Sequence, residues 1–285
     1  MAHELGESGQ AMVAEGDIGI TLSMQGKYPE ALKHFEESYT IAKSLGSNKN
    51  IALSLTHRAE ALGSLGRHDE ASGVLAEVAT FAMRNDASKN VVAWFHLVGA
   101  RMALSDRKWQ EAEAKATQAL SLAGAEFKDI AIEAARTRGL AQMFAGAPRE
   151  GRLECEQAVR IARETSEPSL LAESLLVLAQ ADLESGDSDG ALKASLESQE
   201  VLSRLGKPDY EWIALLVAAR ASQGKGQTEK ALEYATRAES LLQGLQQRWG
   251  ADNYNSYLKR QDIQFYRKWL SGIPLGKPVT SLYPR

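Results

Sequence analysis

Residues able to do chemistry are few and widely spaced in these 285 residues. The histidines are His3, His34, His57, His68 and His96. No two stand four apart, and no His-Glu-x-x-His occurs, so the pattern of a helical metal site is missing. His68 sits in an aromatic turn position, which predicts a packing role. His57 and His96 stand beside Glu60 and Arg101, leaving open a shared polar cluster or separate structural histidines. Cys155 is the sole cysteine, which excludes an intrachain disulfide and a multi-cysteine metal site. Its place on an inward helix column predicts a buried, unreactive thiol.

Gly224-Lys225-Gly226-Gln227-Thr228 has the composition of a phosphate loop, without the full Gly-x-x-x-x-Gly-Lys-Ser/Thr spacing or a preceding strand. It reads as a turn. The pairs Glu36-Glu37 and Glu111/Glu113 fall on predicted solvated helix faces, whereas general acid–base work needs carboxyls held in a cleft. The expectation is a protein that is not an enzyme and holds neither metal nor cofactor.

The elements that position these residues follow from composition. Ala and Leu dominate the apolar set and strand-length runs of branched residues are absent, which favours helix. With 33 basic against 37 acidic residues the net charge is −4, giving no global attraction to nucleic acid or anionic membrane. No stretch approaches the roughly 20 apolar residues that span a bilayer. Neither nucleic acid nor membrane is expected as a partner, and the single cysteine and missing signal-peptide pattern make the cytoplasm the expected location.

A repeat orders the chain. Short turns begin at Gly26, Gly66, Arg107, Gly146, Gly186 and Gly226 and close on Ala31, Ala71, Ala112, Gly151, Ala191 and Ala231. The closing residues are spaced by 40, 41, 39, 40 and 40. Seven positions before the turns stand Gly19, Ala59, Ala100, Gly139, Ala179 and Ala219, small enough for two helix backbones to approach. Ten positions after the closing residue stand Ile41, Phe81, Leu122, Ile161, Val201 and Leu241, all apolar. Between these columns apolar residues recur at three and four, the helical period. Each unit therefore reads as helix A, turn, helix B. Polar breaks at 46–50, 85–88, 164–168 and 206–209 supply helix-ending Gly or Asn, Pro, and N-capping Ser or Asp.

The frame Gly-x-Tyr/His/Trp-x-Glu-Ala, best seen in Gly19, Gly26, Tyr28, Ala31 and Phe35, resembles the tetratricopeptide repeat. The family's period is about 34 residues, so this one near 40 resembles the longer-helix variants of bacterial signalling proteins and some eukaryotic adaptors. The resemblance implies an all-α, right-handed α-solenoid of about six helix-turn-helix repeats with a C-terminal capping helix. Its expected units are 12–50, 51–90, 91–129, 130–169, 170–209 and 210–246, after a frayed or loosely helical segment 1–11. The Phe35 column drifts to Leu75, Ala116, Cys155, Ser195 and Ala235.

Seven aromatics crowd residues 249–285. Tyr254, Tyr257, Leu258, Phe265, Tyr266, Trp269 and Leu270 fit one helical face, predicting a helix over 247–272 and an extended tail over 273–285. That helix either caps the stack or offers a surface for self-association or effector docking.

In the resembled family, helix A lines the concave face. By position this places Glu60, Trp94, Leu97, Arg101, Arg136, Leu140, Met143, Phe144, Gln180 and Arg220 there as candidate partner-binding residues. The arginines could engage carboxylates of an extended peptide, with Trp94, Met143 and Phe144 as apolar anchors. Two readings stay open: a groove for a protein or peptide, or buried A helices in which Arg101 and Arg136 pair with Glu60 or Glu133. The corresponding functions are an interaction scaffold or, alternatively, a sensor domain that binds a small ligand or peptide and controls an effector.

Overall fold

The structure, a computed structural model, describes residues 2–84 and 87–273. It is helical throughout, with no strand among the described residues. Twelve helices form six consecutive hairpins: α1 (Ala2–Met24) with α2 (Tyr28–Ser44), α3 (Asn48–Ser64) with α4 (His68–Ala82), and α5 (Lys89–Ser105) with α6 (Trp109–Ala123). Then follow α7 (Lys128–Phe144) with α8 (Pro148–Arg163), α9 (Pro168–Glu184) with α10 (Ser188–Leu205), and α11 (Pro208–Gly224) with α12 (Thr228–Trp249). Residues 6–11, expected to be frayed or loosely helical, continue α1 without a break.

The turns close by one device. Gly26, Gly66, Gly146, Gly186 and Gly226 adopt positive φ, and the following residue donates its N–H five positions back. The bonds run from Lys27 to Leu22, Arg67 to Leu62, Ala147 to Gln142, Asp187 to Asp182 and Gln227 to Ser222. This is the Schellman helix stop, which needs a left-handed residue and so favours glycine. The third hairpin makes the same bond, Lys108 to Ala103, with Arg107 at φ +58° in the glycine position.

Packing follows the small-residue columns. Ala31, Ala71, Ala112, Ala191 and Ala231 are fully buried. At the fourth hairpin a Cβ on Gly151 would lie 2.7 Å from the Met143 nitrogen, so α7 and α8 meet backbone to backbone. The apolar column from Ile41 to Leu241 is only half-buried. The next position, Ala42, Ala82, Ala123, Ala162, Leu202 and Leu242, is the buried one. Three helical turns take 10.8 residues, so the eleventh position after the closing alanine, not the tenth, shares its face.

Helix starts depart from expectation. Ser47 and Ser88 occupy N-cap positions without a side-chain bond to a helix N–H, and among the described hairpin helices only Asp187 caps, accepting from Gly190 at 2.9 Å. Proline in the first turn, as at Pro148, Pro168 and Pro208, sets the entry instead. Of the break at 85–88, residues 85 and 86 lie outside the described residues.

From α3 to α11 each A helix packs on the next, whereas successive B helices scarcely touch. The A helices therefore form the inner, concave layer. The C-terminal segment then turns back across it. The single helix expected over 247–272 is instead three pieces. The long α12 ends at Trp249, Gly250 at φ +80° breaks it, and α13 (Ala251–Lys259) and α14 (Gln261–Ser271) follow, separated by the extended Arg260.

This segment is a strap laid over successive hairpin turns. Trp249 Nε1 donates to the Gly26 carbonyl at 2.7 Å, and Arg248 Nη2 to that of Gln25 at 2.8 Å. Further along, Arg260 Nη1 donates to the Ser64 carbonyl at 2.9 Å. At the third turn the Arg107 guanidinium stacks 4.7 Å over Phe265. The strap buries Tyr257, Ile263, Tyr266 and Trp269 on its inner side, each such burial contributing roughly 1.5–3 kcal/mol. They share one core with Tyr28, Phe35 and Leu65 of the first two hairpins and with Trp212 of the sixth. Of the expected extended tail, Ile273 is buried and residues 274–285 lie outside the described residues.

Candidate functional site

Between the A helices and the strap lies a channel floored by an ion-pair array. Arg101, from α5, bonds Glu60 of α3 and donates to Glu133 of α7 at 3.1 Å and to the Tyr210 hydroxyl of α11 at 3.2 Å. One hairpin on, Arg136 bonds Glu173 of α9 and, at 3.2 Å, Glu133. Glu173 also receives Lys207, just before α11. The row ends where the Tyr28 hydroxyl donates to Asp209 at 2.6 Å, joining the first hairpin to the sixth. Alternating signs on neighbouring helices let each charge be matched after water is removed.

The charges respond to this setting. Burial alone would raise the Glu60 carboxyl, but Arg101 and His57 outweigh it and hold it at about 2. Burial works against Glu173 too, and Lys207 and Arg136 overcome it, holding that carboxyl well below its usual range. Burial would lower Lys207, whereas Glu173 and neighbouring groups push it up to about 12. For Glu133 and Asp209 burial prevails, and both lie above the ordinary carboxyl value.

A cavity of about 140 Å³, partly open to solvent, lies over the array. The A helices contribute Glu60, Arg101, Arg136, Leu140 and Gln180, and the strap contributes Arg260, Asp262, Ile263 and Tyr266. Arg260 and Asp262 pair with each other at 2.6 Å. Three deeply buried side chains on the wall keep a polar atom without a partner among the described residues, Nη1 of Arg136, Oε1 of Gln180 and Oδ1 of Asp209. An unmet buried polar group costs roughly 1–3 kcal/mol. The arrangement can therefore position and hydrogen-bond a guest. Among the described residues no group of three or more His, Cys, Asp or Glu could hold a metal.

The predicted residues divide. Glu60, Arg101, Arg136, Leu140 and Gln180 meet at the cavity. Leu97 and Met143 do not face it: Leu97 is fully buried with α6 and α7, and Met143 packs with Cys155. Trp94 lies to one side, its ring 5.4 Å from His57. Phe144 stacks on Trp109 at 4.8 Å and lines a small adjacent gap of about 40 Å³ with Phe265. The Arg220 guanidinium lies 4.2 Å over Trp269, covered by the strap. Of the aromatic C-terminal face, Tyr257, Tyr266 and Trp269 are buried within the chain, and Tyr254, Leu258, Phe265 and Leu270 are half-buried.

His57 joins Glu60 at 3.7 Å and stacks on Phe35, while His96 sits near Lys115, so the two share no cluster. His68 is more than packing, because Nδ1 bonds Asp106 at 2.7 Å. Cys155 is fully buried, and burial pushes its thiol up.

Sequence reasoning missed Glu173, Lys207, Asp209 and Tyr210 on the floor and the strap residues on the roof. Glu133 and Glu173 recur one repeat apart, a signal that was available. Lys207 and Asp209 lay in a stretch read only as punctuation.

Residues 10–83, the first two hairpins, match the family model described as tetratricopeptide repeat. No curated protein sequence matches the chain. Several solved structures share its fold. One is a Rap protein complexed with competence and sporulation factor, at 13% identity and TM-score 0.63 over 93% of this chain and 77% of that one. BtubC from P. vanneervenii aligns at 10% identity and TM-score 0.56, covering 92% of this chain and 98% of that one. Aspartyl phosphate phosphatase F from Bacillus subtilis aligns at 12% identity and TM-score 0.55, covering 96% and 75%. At such identities the likeness concerns the fold. No helix among the described residues is long and apolar enough to cross a membrane.

Proposed function

We propose that this chain, a tetratricopeptide-like helical-repeat protein, is an interaction module that holds a segment of a partner protein in its concave channel. The supporting observation is the convergence of Glu60, Arg101, Arg136, Leu140 and Gln180, from four different A helices, on one partly open cavity. A stack of hairpins brings such residues together without any reacting group. The Rap structure, solved with a bound factor, shows that a protein of this fold can hold a partner.

Partner capture tests the reading, comparing wild type with Gly63→Leu and Leu153→Ser. Gly63 lines the channel, and a Cβ there meets only Met102 Cγ at 3.5 Å, so a larger side chain can leave the backbone at this point without a clash at its first atom. Leu153 lies on the outer layer and is 63% exposed. Loss of a stoichiometric partner in Gly63→Leu, with retention in Leu153→Ser, is expected. The reverse pattern rules the channel out.

The enclosing strap favours a second reading, a sensor domain whose ligand is small. A roof that contributes Ile263 and Tyr266 to the cavity wall restricts what enters to a short group. Native mass spectrometry separates the readings, since a co-purified small molecule belongs to the sensor and a stoichiometric protein to the scaffold.

A further inference from the structure

The channel cavity has unmet hydrogen-bonding needs of opposite sense. Arg136 is 5% exposed and Gln180 4%, yet Nη1 of the first lacks an acceptor and Oε1 of the second lacks a donor among the described residues. Both residues line the same space. Leu140 follows Arg136 by one helical turn and Leu176 precedes Gln180 by one turn, so each unmet atom has an apolar neighbour on its own helix face. Ile213 and Ile263 extend the apolar wall from the floor and the strap.

Charge decides what kind of guest this suits. Most ionic groups around the cavity are already matched: Arg101 with Glu60 and Glu133, Glu173 with Lys207, and Arg260 with Asp262. Across the array the carboxylates Glu60, Glu133, Glu173, Asp209 and Asp262 outnumber Arg101, Arg136, Lys207 and Arg260 by one. A guest carboxylate would add to that excess. A guest cation would sit against the open nitrogen of Arg136. A neutral group offering one acceptor and one donor meets the needs of Arg136 and Gln180 without breaking a pair, while the third unmet atom, Oδ1 of Asp209, lies against the Gly26 turn, 2.8 Å from where a Cβ on that glycine would stand. In size, a cavity of 140 Å³ admits on the order of ten non-hydrogen atoms.

We propose that the cavity between the A helices and the strap binds a neutral carboxamide carried on a small apolar body, its carbonyl accepting from Arg136 Nη1 and its N–H donating to Gln180 Oε1. The carboxamide comes either from a free small molecule or from the main chain of an apolar residue inserted by a partner. Because Ile263 and Tyr266 form part of the wall, the guest also pins the strap. The inference rests on the concave channel being the binding surface. Its probe is a small amide rather than a protein, so capture of a partner through the channel without amide uptake would sink this inference alone.

The test is calorimetric titration of the full chain with 4-methylpentanamide, with 4-methylpentanoate, which has no amide, as the carboxylate control. One amide per chain is expected, bound about tenfold or more tighter than the carboxylate, and a dose-dependent rise in Tm should accompany it. Gln180→Met keeps the side-chain volume and removes the acceptor, and Gly63→Leu fills the space. Each should weaken binding about tenfold while the melting of the unliganded chain shows it folded. The capped tripeptide acetyl-Ala-Leu-Ala-amide separates the sources: tighter binding points to an inserted peptide, and weaker or equal binding to a free amide. Absence of amide binding up to about 10 mM overturns the proposal. So does a carboxylate that binds as well, or an affinity that both variants leave unchanged.

Discussion

Trp249 and Gly26 are 223 residues apart and joined by a 2.7 Å hydrogen bond from the indole nitrogen to the carbonyl oxygen. Trp249 is also packed against Tyr28 and Tyr257, with ring centroids 5.7 and 5.1 Å away. The contact locks the last hairpin to the first. Trp249→Phe removes the hydrogen bond and keeps much of the packing, so it should cost about 1 kcal/mol. Trp249→Ala should cost about 3–5 kcal/mol. Denaturant melts of the two variants measure the difference, and equal losses would show that the hydrogen bond, not the ring, is the lock.

Gly66 and Gly186 form a matched pair for testing the strap. Their φ angles are +75° and +81°, but a Cβ on Gly66 would lie 2.7 Å from the Ser256 carbonyl carbon, whereas none would touch Gly186. Gly186→Ala should cost about 1–2 kcal/mol, the strain of the left-handed conformation alone. Gly66→Ala should cost more and make the segment after Trp249 protease-sensitive. Similar losses and similar digestion would mean that the strap yields freely.

Arg107 is the one described non-glycine residue with positive φ, and its guanidinium stacks on Phe265 at 4.7 Å and Trp109 at 5.3 Å. The stacking offsets the backbone strain. Arg107→Ala keeps the strain and loses the stacking, so it should destabilise by about 1–2 kcal/mol. Arg107→Gly relieves the strain and should stand about 1 kcal/mol above the alanine variant in thermal melts.

Glu173 faces Arg136 and Lys207 with almost no solvent. Glu173→Ala leaves two buried cations and should cost about 3–5 kcal/mol. The folded-state values of Glu60 and Glu173 lie below the ordinary carboxyl value of 4.5. Their contribution is therefore complete above that value and lost as pH falls toward about 2. An acid melt should be steep in this window for the wild type and shallower for Glu60→Gln.

Glu184 behaves oppositely. Burial raises its carboxyl from 4.5 to about 7, with only Arg220 opposing. The folded chain then holds a proton that the unfolded chain releases, so this group's contribution falls as pH rises from 4.5 to about 7. Glu184→Gln should flatten that decline and melt higher than wild type at pH 8.

Much of the hairpin stack was legible in particular residues. Gly26, Ala31 and the small residue at 19 mark a turn and a close helix contact whose causes lie within a few residues of each other. The apolar column is local in the same way, because the half-buried Ile41 and the buried Ala42 differ by one step around the helix. The candidate site was less legible. Arg101, Arg136 and Gln180 followed from their place on helix A, yet Leu97, at the same offset as Arg136, and Met143 turned into the core. Strand-like alternation would have separated two faces cleanly, but long helices buried nearly all round, such as α7 and α11, give no such contrast.

The C-terminal aromatics show the boundary most plainly. Their spacing pointed to helix after the last repeat, which the structure breaks at Gly250 and Arg260, and the period of the turns, five with glycine and one with Arg107, marked six hairpins before it. These depend on helix period and on left-handed backbone geometry, which are properties of neighbouring residues. Where Trp249, Arg260 and Phe265 would land was decided only in three dimensions. A small rotation at each hairpin accumulates around the superhelix until the last element meets the turns of the first three. No single column carries that sum. The cavity under the strap, with its unmet atoms on Arg136 and Gln180, exists because of that closure.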